Sequence, residues 1–525
     1  MLGQISRYYH TLRYLQWIQI RYRLLYQWRK VVAKPLVKAD DQLPDLHPQL
    51  LDLIPGPESP ISWRGKDTFC FLHLEHYFKQ GIDWNFPGHG KLWTYNLNYF
   101  EFLLQPGLSK YEGLGLIHDF ISKLVHSRDG MEPFPISLRV QYWIKFLSKH
   151  QIRNQGIDQS LYLQVCFLKD NLEYHLLGNH LLENGFALLF AAVYFQETDF
   201  LEKADQILVP QLAEQILSDG AHFELSPMYH QLMLYRILDA INILTHHPIG
   251  SSQGLLVRLG EKAGQMLGWM MQMTLSNGDM ALLNDSAPGI APDQEVLLSY
   301  ATRLGLKAQV QSLGESGYRR FENEVYEILI DLGAIGPDYI PGHAHSDTFN
   351  FVLYHRGTPL IVDVGISTYE KNERRQFERS TASHNTVMLN GQEQSEVWGG
   401  FRVARRANVL DLKELDRGWQ ASHDGYARVG AKHQRRFIFE EEGLTIEDET
   451  TGAKLAQAFF HFHPNIAIEQ IDNTLVGSFG RMTFDANAQI ILSPYEMALG
   501  YNQRQRAIQA TITFKENLHT KIQLS

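Results

Sequence analysis

The pattern of apolar and polar positions changes once along the chain. From about residue 98 to 312 the apolar positions keep helical spacing. Leu234, Ile237, Leu238 and Ile241 fall at i, i+3, i+4 and i+7, so they form one stripe that faces a core. This spacing is typical of a toroid of helical hairpins, although no sequence repeat marks the hairpins. Similar stripes recur at 115–125, 139–149, 160–176, 181–196 and 258–274.

After about residue 318 the pattern has a period of two. Phe349, Phe351 and Leu353 alternate with Asn350 and Tyr354, which predicts a strand from Phe349 to Leu353. Short apolar runs separated by turn residues follow, and together they predict an antiparallel β-sandwich. These runs are 436–439, 444–446, 466–468, 490–492 and 511–514.

The predicted fold class is therefore α+β in more than one domain. A chain of 525 residues is too long for one ordinary hydrophobic core, which agrees with this division. We place the boundary at Gly314-Glu315-Ser316-Gly317, so that residues 1–317 form a mainly helical domain and residues 318–525 form a β domain.

Composition narrows the class of protein. With 44% hydrophobic and 20% charged residues the chain is globular. A net charge of -10 argues against a nucleic-acid partner, but it leaves open an acidic glycan bound in a local basic cleft. Cys70 and Cys166 lie far apart in apolar runs, so we expect buried thiols and neither a disulfide framework nor a cysteine-based metal site.

The N-terminal segment, residues 1–38, is basic and contains no acidic residue. Its apolar residues are interrupted by Arg and Gln, which predicts neither a secretory signal nor a membrane-spanning helix. We therefore expect a cytoplasmic or membrane-peripheral location and leave a periplasmic one open. The segment either contacts an anionic membrane surface or packs on the protein as a basic helix, and we favour packing. Its cations are Arg7, Arg13, Arg21, Arg23, Arg29, Lys30, Lys34 and Lys38.

A first polar cluster opens an apolar helical run at residues 178–185. On a helix His180 and Glu183 are i, i+3 neighbours, and Asn179 and Glu183 are i, i+4 neighbours, so the three side chains share one face. Burying an amide, an imidazole and a carboxylate without a functional role is costly, so a functional site is one of two interpretations of this cluster. The alternative is that Asn179 caps the helix and the rest is an ordinary polar first turn.

A second cluster spans residues 219–230. Ser226 followed by Pro227 predicts a helix N-cap and first helical position. Tyr229 then lies at the positive end of the helix dipole, where we expect its pKa to be lowered, as a catalytic tyrosine requires. A capping sequence followed by a core tyrosine is an equally good interpretation.

A third cluster pairs His343 and His345 in a His-x-His sequence that places both imidazoles on one side of an extended segment. Asp363 and His384 add to a nitrogen and oxygen ligand set that suits zinc. From the spacing alone, either histidine of the pair is a candidate ligand. Trp93, Asn96, Arg139, Trp143 and the run Arg374, Arg375, Arg379 are a weaker group, typical of a glycan cleft and even more of a helix interface.

Taken together, these segments resemble the heparinase II/III family and related alginate lyases. The matching sequences are 179–185, 220–230, 342–347, 363–365 and 383–387, in the order that the family has them. The resemblance implies an N-terminal incomplete (α/α) toroid and a C-terminal antiparallel β-sandwich with the active site between them. It implies a polysaccharide lyase that cleaves an acidic, uronic-acid-containing polysaccharide by β-elimination, without an organic cofactor. Some members of the family accompany exopolysaccharide assembly, which allows a role there.

The resemblance also implies roles for individual residues. Asn179, His180 and Glu183 would bind and neutralise the uronate carboxylate. Tyr229 would be the acid and in some cases the base, and His343 would be catalytic. Where the proton and the leaving group lie on opposite faces of the sugar, either His343 or His180 would take the proton. His345, Asp363 and His384 would hold a structural zinc. Residues expected to contact substrate are Trp93, Asn96, Arg139, Glu224 and Arg375.

Two other functions are alternatives to a lyase. An inverting glycosidase would use two carboxylates from Glu183, Asp219 and Glu224, but the Tyr and His sequences would then have no task. A non-catalytic glycan-binding or scaffold protein of a polysaccharide-synthesis system is the other alternative. The sequence specifies neither the polymer nor the oligomeric state.

Overall fold

A computed structural model describes residues 2–32 and 45–525. Lys34 and Lys38, which belong to the predicted basic segment, lie outside these residues. Within them, no helix combines the length and the apolar character that crossing a bilayer would require.

The N-terminal part is helical, apart from one short β-hairpin that the sequence pattern did not predict. That hairpin consists of β1 (Thr68–Phe71) and β2 (Leu74–Tyr77). The helices are α1 (Leu2–Leu12), α2 (Trp17–Val32), α3 (Lys91–Tyr99), α4 (Lys110–Lys123), α5 (Pro133–Lys149), α6 (Gln155–Asp170), α7 (Gly178–Phe195), α8 (Thr198–Gln215), α9 (Pro227–His246), α10 (Gln253–Met273) and α11 (Gln294–Arg303).

The predicted helical stripes are the buried faces of these helices. Leu234, Ile237, Leu238 and Ile241 of α9 are all buried, and almost every residue of α7 is buried. One large apolar core runs through the helical part, so burial of these faces is its main source of stability. The stripe at 160–176 is shorter than predicted, because α6 ends at Asp170 and a loop follows.

The regular elements of the C-terminal part are mainly antiparallel strands. These strands are β3 (Tyr318–Glu322), β4 (Tyr326–Asp331), β5 (Phe351–His355), β6 (Thr358–Ile361), β7 (Val387–Leu389), β8 (Val397–Trp398), β9 (Arg402–Val403), β10 (Val409–Leu415), β11 (Gly418–His423), β12 (Lys432–Glu440), β13 (Gly443–Thr451), β14 (Ala456–His461), β15 (Glu469–Ile471), β16 (Thr474–Gly477), β17 (Gly480–Phe484), β18 (Gln489–Gly500), β19 (Gln503–Phe514) and β20 (Asn517–Leu524).

The strands of the C-terminal part form three larger sheets. The main sheet has the order β10-β11-β12-β13-β20-β17-β16-β15, and two four-stranded sheets have the orders β18-β19-β14-β7 and β3-β4-β5-β6. Short β8 and β9 pair separately, and one α-helix, α12 (Glu373–Glu378), lies among the strands.

Alternation along the strands follows the predicted period of two. In β12, every second residue is buried. Two details of the prediction were wrong. The strand near Phe349 begins only at Phe351, because Phe349 has a positive φ of 69°. Residues 466–468 lie in a loop before β15. The two thiols, Cys70 and Cys166, are half-buried rather than buried.

The two parts pack directly on each other. Trp269 and Met273 of α10 contact Leu329 and Val352 of the adjoining sheet in one apolar cluster. The chain passes from helices to strands between α11 and β3, that is, within residues 304–317.

A short polar segment at residues 284–286 links the two parts through hydrogen bonds. Asn284 donates to the carbonyl of Leu225 at 3.1 Å and accepts from the backbone N–H of His345 at 3.0 Å. Asp285 donates its backbone N–H to the carbonyl of His343 at 3.1 Å, and its own carbonyl accepts from the Ser226 hydroxyl at 2.7 Å. The start of α9 is thereby held against the loop that carries His343 and His345.

Candidate active site

The start of α7 presents Asn179. The residue before the helix is Leu177, whose side chain makes no capping bond, so the capping interpretation of Asn179 was wrong. The backbone N–H of Asn179 donates to Glu224 Oε1 at 3.3 Å, while its side-chain oxygen is buried without a partner among the described residues. Gly178 has a φ of +58° and would place a Cβ 3.0 Å from that Glu224 oxygen, so glycine permits this close approach.

His180 is the most exposed of the three residues on α7. Its Nδ1 lies 3.1 Å from Glu173 Oε1, and its ring centroid lies 4.5 Å from that of Phe134. Burial favours the neutral imidazole, but the Glu173 carboxylate outweighs burial and leaves the pKa of His180 raised. His180 can therefore offer a positive charge to an anionic group.

Glu183 points into the helical part and is buried. Its carboxylate accepts from Arg236 Nε at 2.9 Å and from Gln141 Nε2 at 3.1 Å. Both oxygens have internal partners, so the structure places Glu183 behind Asn179 and His180 rather than beside a substrate.

Tyr229 stands in the first turn of α9, where the predicted cap is confirmed. The helix begins at Pro227, and the Ser226 hydroxyl accepts the Tyr229 N–H at 3.3 Å. The Tyr229 ring stacks on His343 with centroids 3.8 Å apart, and its hydroxyl lies 3.2 Å from that of Tyr369. The expected lowering of the Tyr229 pKa was wrong: burial of the phenol raises it, because lost solvation of a phenolate outweighs the helix dipole.

The imidazole of His343 is hydrogen-bonded to a buried carboxylate. Its Nδ1 lies 2.9 Å from Asp285 Oδ2, and its Nε2 lies 3.5 Å from Glu224 Oε2. Asp285 also accepts from His345 Nε2 at 2.8 Å, so both imidazoles of the His-x-His sequence meet one carboxylate. Arg375 binds both oxygens of Asp285 through its two terminal nitrogens.

The charges of this cluster follow from burial and pairing. Burial alone would raise the pKa of Asp285, but Arg375 outweighs burial, so the pKa lies well below its usual range and the carboxylate is ionised. Glu224 has no such cation, and burial raises its pKa. An ionised Asp285 thus stabilises a proton on the Nδ1 of His343, which leaves a lone pair on Nε2.

The three predicted zinc ligands lie near one another but do not form a metal site in this arrangement. Nε2 of His345 is hydrogen-bonded to Asp285. Nδ1 of His384 lies 2.8 Å from Asp363 Oδ2, and that oxygen also accepts a hydrogen bond from Asn350. The rings of His345 and His384 are 5.2 Å apart, and each keeps one buried nitrogen without a partner in the described chain. Those nitrogens suit zinc chemically, yet residues 2–32 and 45–525 contain no group of three His, Cys, Asp or Glu placed to hold a metal. Zinc stays a prediction, and we derive no catalytic step through it.

The predicted substrate contacts separate into two groups. Glu224 lies in the site. Arg375 is buried next to the site, and its guanidinium is bound to Asp285. Trp93 is in the helical core and donates to the Leu74 carbonyl at 2.9 Å. Arg139 is buried and donates to the carbonyls of Asn98 and Gly130, so neither Trp93 nor Arg139 has surface for a substrate. The half-buried Asn96 donates to the Leu92 carbonyl of its own helix.

Sequence reasoning missed several residues of the site. Asp285 is the most important, and its signal was the polar Asn-Asp-Ser triplet at 284–286 between apolar residues. Tyr369, whose hydroxyl lies near both Tyr229 and His343 Nδ1, gave no signal by spacing. Glu173 and Arg236, which hold His180 and Glu183, lie outside the recognised segments.

Comparison with protein families assigns both parts of the chain. Residues 137–304 match the family model described as the heparinase II/III N-terminus. Residues 306–525 match the model described as heparinase II/III-like, C-terminal. The two matches are adjacent and together include every site residue discussed above from Arg139 onward.

Curated relatives are distant. A heparin-sulfate lyase of Bacteroides stercoris is 22% identical over 351 residues, which is 58% of this chain and 49% of the relative. One of Pedobacter heparinus is 24% identical over 246 residues, 41% of this chain and 36% of the relative. The chain thus spans about half or less of the length of the curated relatives that it matches.

Solved structures share the fold. A heparinase III crystal structure superposes with a TM-score of 0.68 at 16% identity, covering 96% of this chain and 89% of that one. A mutant heparan sulfate lyase from Pedobacter heparinus gives 0.58 at 17% identity, covering 88% and 82%. At these identities the likeness shows the arrangement of a helical N-terminal part and C-terminal antiparallel sheets.

Proposed function

Because the chain belongs to the heparinase II/III family, we propose that it is a polysaccharide lyase that cleaves a uronic-acid-containing polysaccharide by β-elimination. The observation that carries this proposal is the stack of Tyr229 on His343 above an ionised Asp285, beside Asn179 and His180. In this proposal the helices form an incomplete (α/α) toroid, the strands form a β-sandwich, and the substrate lies between them.

The first requirement of the reaction is stabilisation of charge on the uronate. The C5 proton is very weakly acidic, and its removal places negative charge on the adjoining carboxylate. The Asn179 amide and a protonated His180, supported by Glu173, supply a donor and a cation for that charge, as an oxyanion hole does.

The second requirement is a base and an acid. His343, with Nδ1 held by Asp285, takes the C5 proton on Nε2. The C5 electron pair forms the C4=C5 double bond as the C4–O4 bond breaks, and Tyr229 gives its phenolic proton to the departing O4. The raised pKa of Tyr229 keeps the phenol protonated, which favours its role as acid. Where proton and leaving group lie on one face of the sugar, Tyr229 would have to serve both steps.

The substrate is an acidic polysaccharide. Two relatives are named heparin-sulfate lyases, which makes heparan-type polymers the first to test. A bacterial exopolysaccharide that contains uronate is the second, and alginate-type polymers are the third.

An inverting hydrolase is disfavoured by the positions of the carboxylates. Asp219 Oδ2 accepts from the backbone N–H groups of Gly314 and Ser316 and from the Ser316 hydroxyl, so it has a structural task. Glu183 is paired with Arg236, which leaves Glu224 without a second free carboxylate of the predicted set.

The test is ultraviolet absorbance of uronate polysaccharides incubated with the protein and with its Tyr229→Phe variant. We expect the native protein to produce absorbance from the C4=C5 bond. The variant should produce it about a thousandfold more slowly. New reducing ends without absorbance would establish a hydrolase instead. Binding of a polymer without any cleavage, equal in both proteins, would establish the scaffold role.

A further inference from the structure

The two N-terminal helices turn an apolar face to solvent. On α2, Trp17, Arg21, Leu24 and Trp28 follow each other at spacings of four, three and four residues, so they form one stripe. Trp17 is 73% exposed, Leu24 61% and Trp28 62%. A helix that packs on a globular protein normally buries such a stripe, so this face requires a separate explanation.

Helix α1 repeats the arrangement. Ile5, Tyr8, Tyr9 and Leu12 lie on one side of the helix, and each is at least half exposed. The Tyr8 ring touches Trp398 edge-on, which fixes the helix against the β part while most of the apolar side remains open.

The opposite faces of both helices pack on the protein through polar groups and, on α2, also through Ile18 and Tyr22. On α2, Gln19 donates to the Leu176 carbonyl at 3.0 Å, and Arg23 donates to that of His175 at 3.3 Å. On α1, Arg7 binds Glu396 at 2.8 Å. Helix α2 therefore has apolar side chains on both sides. Ile18 and Tyr22 pack against the body of the protein, and a second set of aromatic and aliphatic side chains faces outward.

The charge on the two helices themselves is of one sign. Residues 2–32 contain Arg and Lys but no Asp or Glu. Arg13, Arg21 and Arg29 are exposed at the surface of the helices and at the turn between them. Tryptophan and tyrosine favour the headgroup level of a bilayer, and arginine is attracted to anionic lipid.

We propose that α1 and α2 dock the protein on the surface of an anionic phospholipid bilayer, with Trp17, Leu24 and Trp28 inserted among the headgroups. The alternation of basic and aromatic residues favours this occupant over a second copy of the chain, whose net charge is -10 but whose matching face would be equally basic. The helices would lie in the plane of the membrane and not cross it.

The geometry links this surface to the catalytic residues. The loop that α2 contacts, at residues 172–176, contains Glu173, the partner of His180. A docked protein would therefore keep the His180 side of the site close to the lipid surface, where a polymer emerging from or attached to the membrane would meet it.

The test is co-sedimentation of the full chain with vesicles of phosphatidylcholine alone and of phosphatidylcholine with about one third phosphatidylglycerol. We expect binding to the anionic vesicles that weakens with salt. The variant Trp17→Ser/Leu24→Ser/Trp28→Ser should reduce the bound fraction about tenfold. Its matched control is Val125→Ser/Val310→Ser/Ile491→Ser, which removes equally exposed apolar residues elsewhere and should bind as the native chain does.

A charge variant, Arg13→Ala/Arg21→Ala/Arg29→Ala, should lose most of its preference for anionic vesicles. Thermal unfolding checks that every variant is folded, and cleavage of a soluble oligosaccharide should stay unchanged, which separates this proposal from the proposed function. Native protein that stays in the supernatant with both kinds of vesicle would overturn the proposal. So would a dimer in light scattering that the apolar triple variant dissociates, because the face would then bind a second copy.

Discussion

Two histidine–aspartate pairs lie within the same region of the molecule and differ in their surroundings. His343 meets Asp285 at 2.9 Å, and His384 meets Asp363 at 2.8 Å. Asp285 has Arg375 as counter-charge, whereas the strongest positive influence on Asp363 is His384 itself.

The consequence appears in the imidazoles. Burial opposes a charge on His384, yet Asp363 outweighs burial and raises the pKa of His384 in the interior. His343 keeps part of its ring accessible and is covered by Tyr229. The difference teaches that the charge of Asp285 is balanced by Arg375, whereas the charge of Asp363 acts chiefly on His384. In the proposed mechanism His343 is therefore the histidine that transfers a proton, and His384 has a structural role.

Asparagine substitution of the two aspartates sharpens this comparison most. Asp285→Asn should lower kcat about a thousandfold, because His343 loses the group that fixes its Nδ1 proton. It should also destabilise the fold by about 3 kcal/mol, because Arg375 is left buried without its partner. The measurements are kcat by ultraviolet absorbance and the free energy of unfolding.

Asp363→Asn is the matched control for that variant. It should cost a similar free energy of unfolding through His384 but leave kcat within about tenfold of the native value. Equal loss of kcat in the two variants would show that the pairs do not differ in function.

His384→Ala tests the structural pair and the zinc prediction together. We expect a loss of about 3 kcal/mol in unfolding free energy, because Asp363 stays buried without its cation. Metal analysis of the native protein and the variant decides the zinc prediction. One zinc per native chain, absent from the variant, would confirm the zinc prediction. A native chain without zinc would contradict it.

Glu173→Gln probes the charge on His180. A raised pKa means that the cation is present at low pH and is lost as pH rises through that pKa. Without the carboxylate the pKa falls, so the alkaline decline of kcat/KM should move to lower pH. Glu202→Gln, an exposed glutamate on α8, is the control whose profile should not move. An unmoved profile in Glu173→Gln would remove His180 as the group that titrates.

Trp93→Phe should have the smallest effect on catalysis. The side chain fills the helical core, so we expect a loss of about 1–3 kcal/mol in unfolding free energy with KM and kcat close to native. A raised KM in a variant that remains folded would instead indicate that Trp93 contacts the substrate.

Local patterns in the sequence predicted the elements well. The start of α9 at Ser226-Pro227 and the change from helical to alternating patterns depend on neighbouring residues alone, so they can be read from the chain. Tyr229 and His343 are more than a hundred positions apart, and it was the family resemblance that placed them in one predicted site.

The features that the sequence could not predict depend on contacts between residues far apart in the chain. Burial raises the pKa of Tyr229, whose ring stacks on His343, and this effect outweighs the local helix dipole. Asp285 lies in an irregular loop with no periodicity to mark its role. Arg139 is a charged residue inside a core, and only the tertiary structure shows that carbonyl groups satisfy it.

The segment at residues 284–286 has a consequence for inactivation by heat. Through Asn284 and Asp285 it fastens the helical part to the loop of His343, and each part has its own apolar core. Separation of the parts would break the pairing of Tyr229 with His343 and the shared apolar cluster of Trp269 and Leu329, while the two larger cores stay intact. Under the proposed function, such a separation would abolish activity before either core unfolds. A covalent link between the two parts would then preserve activity on heating without making either core more stable.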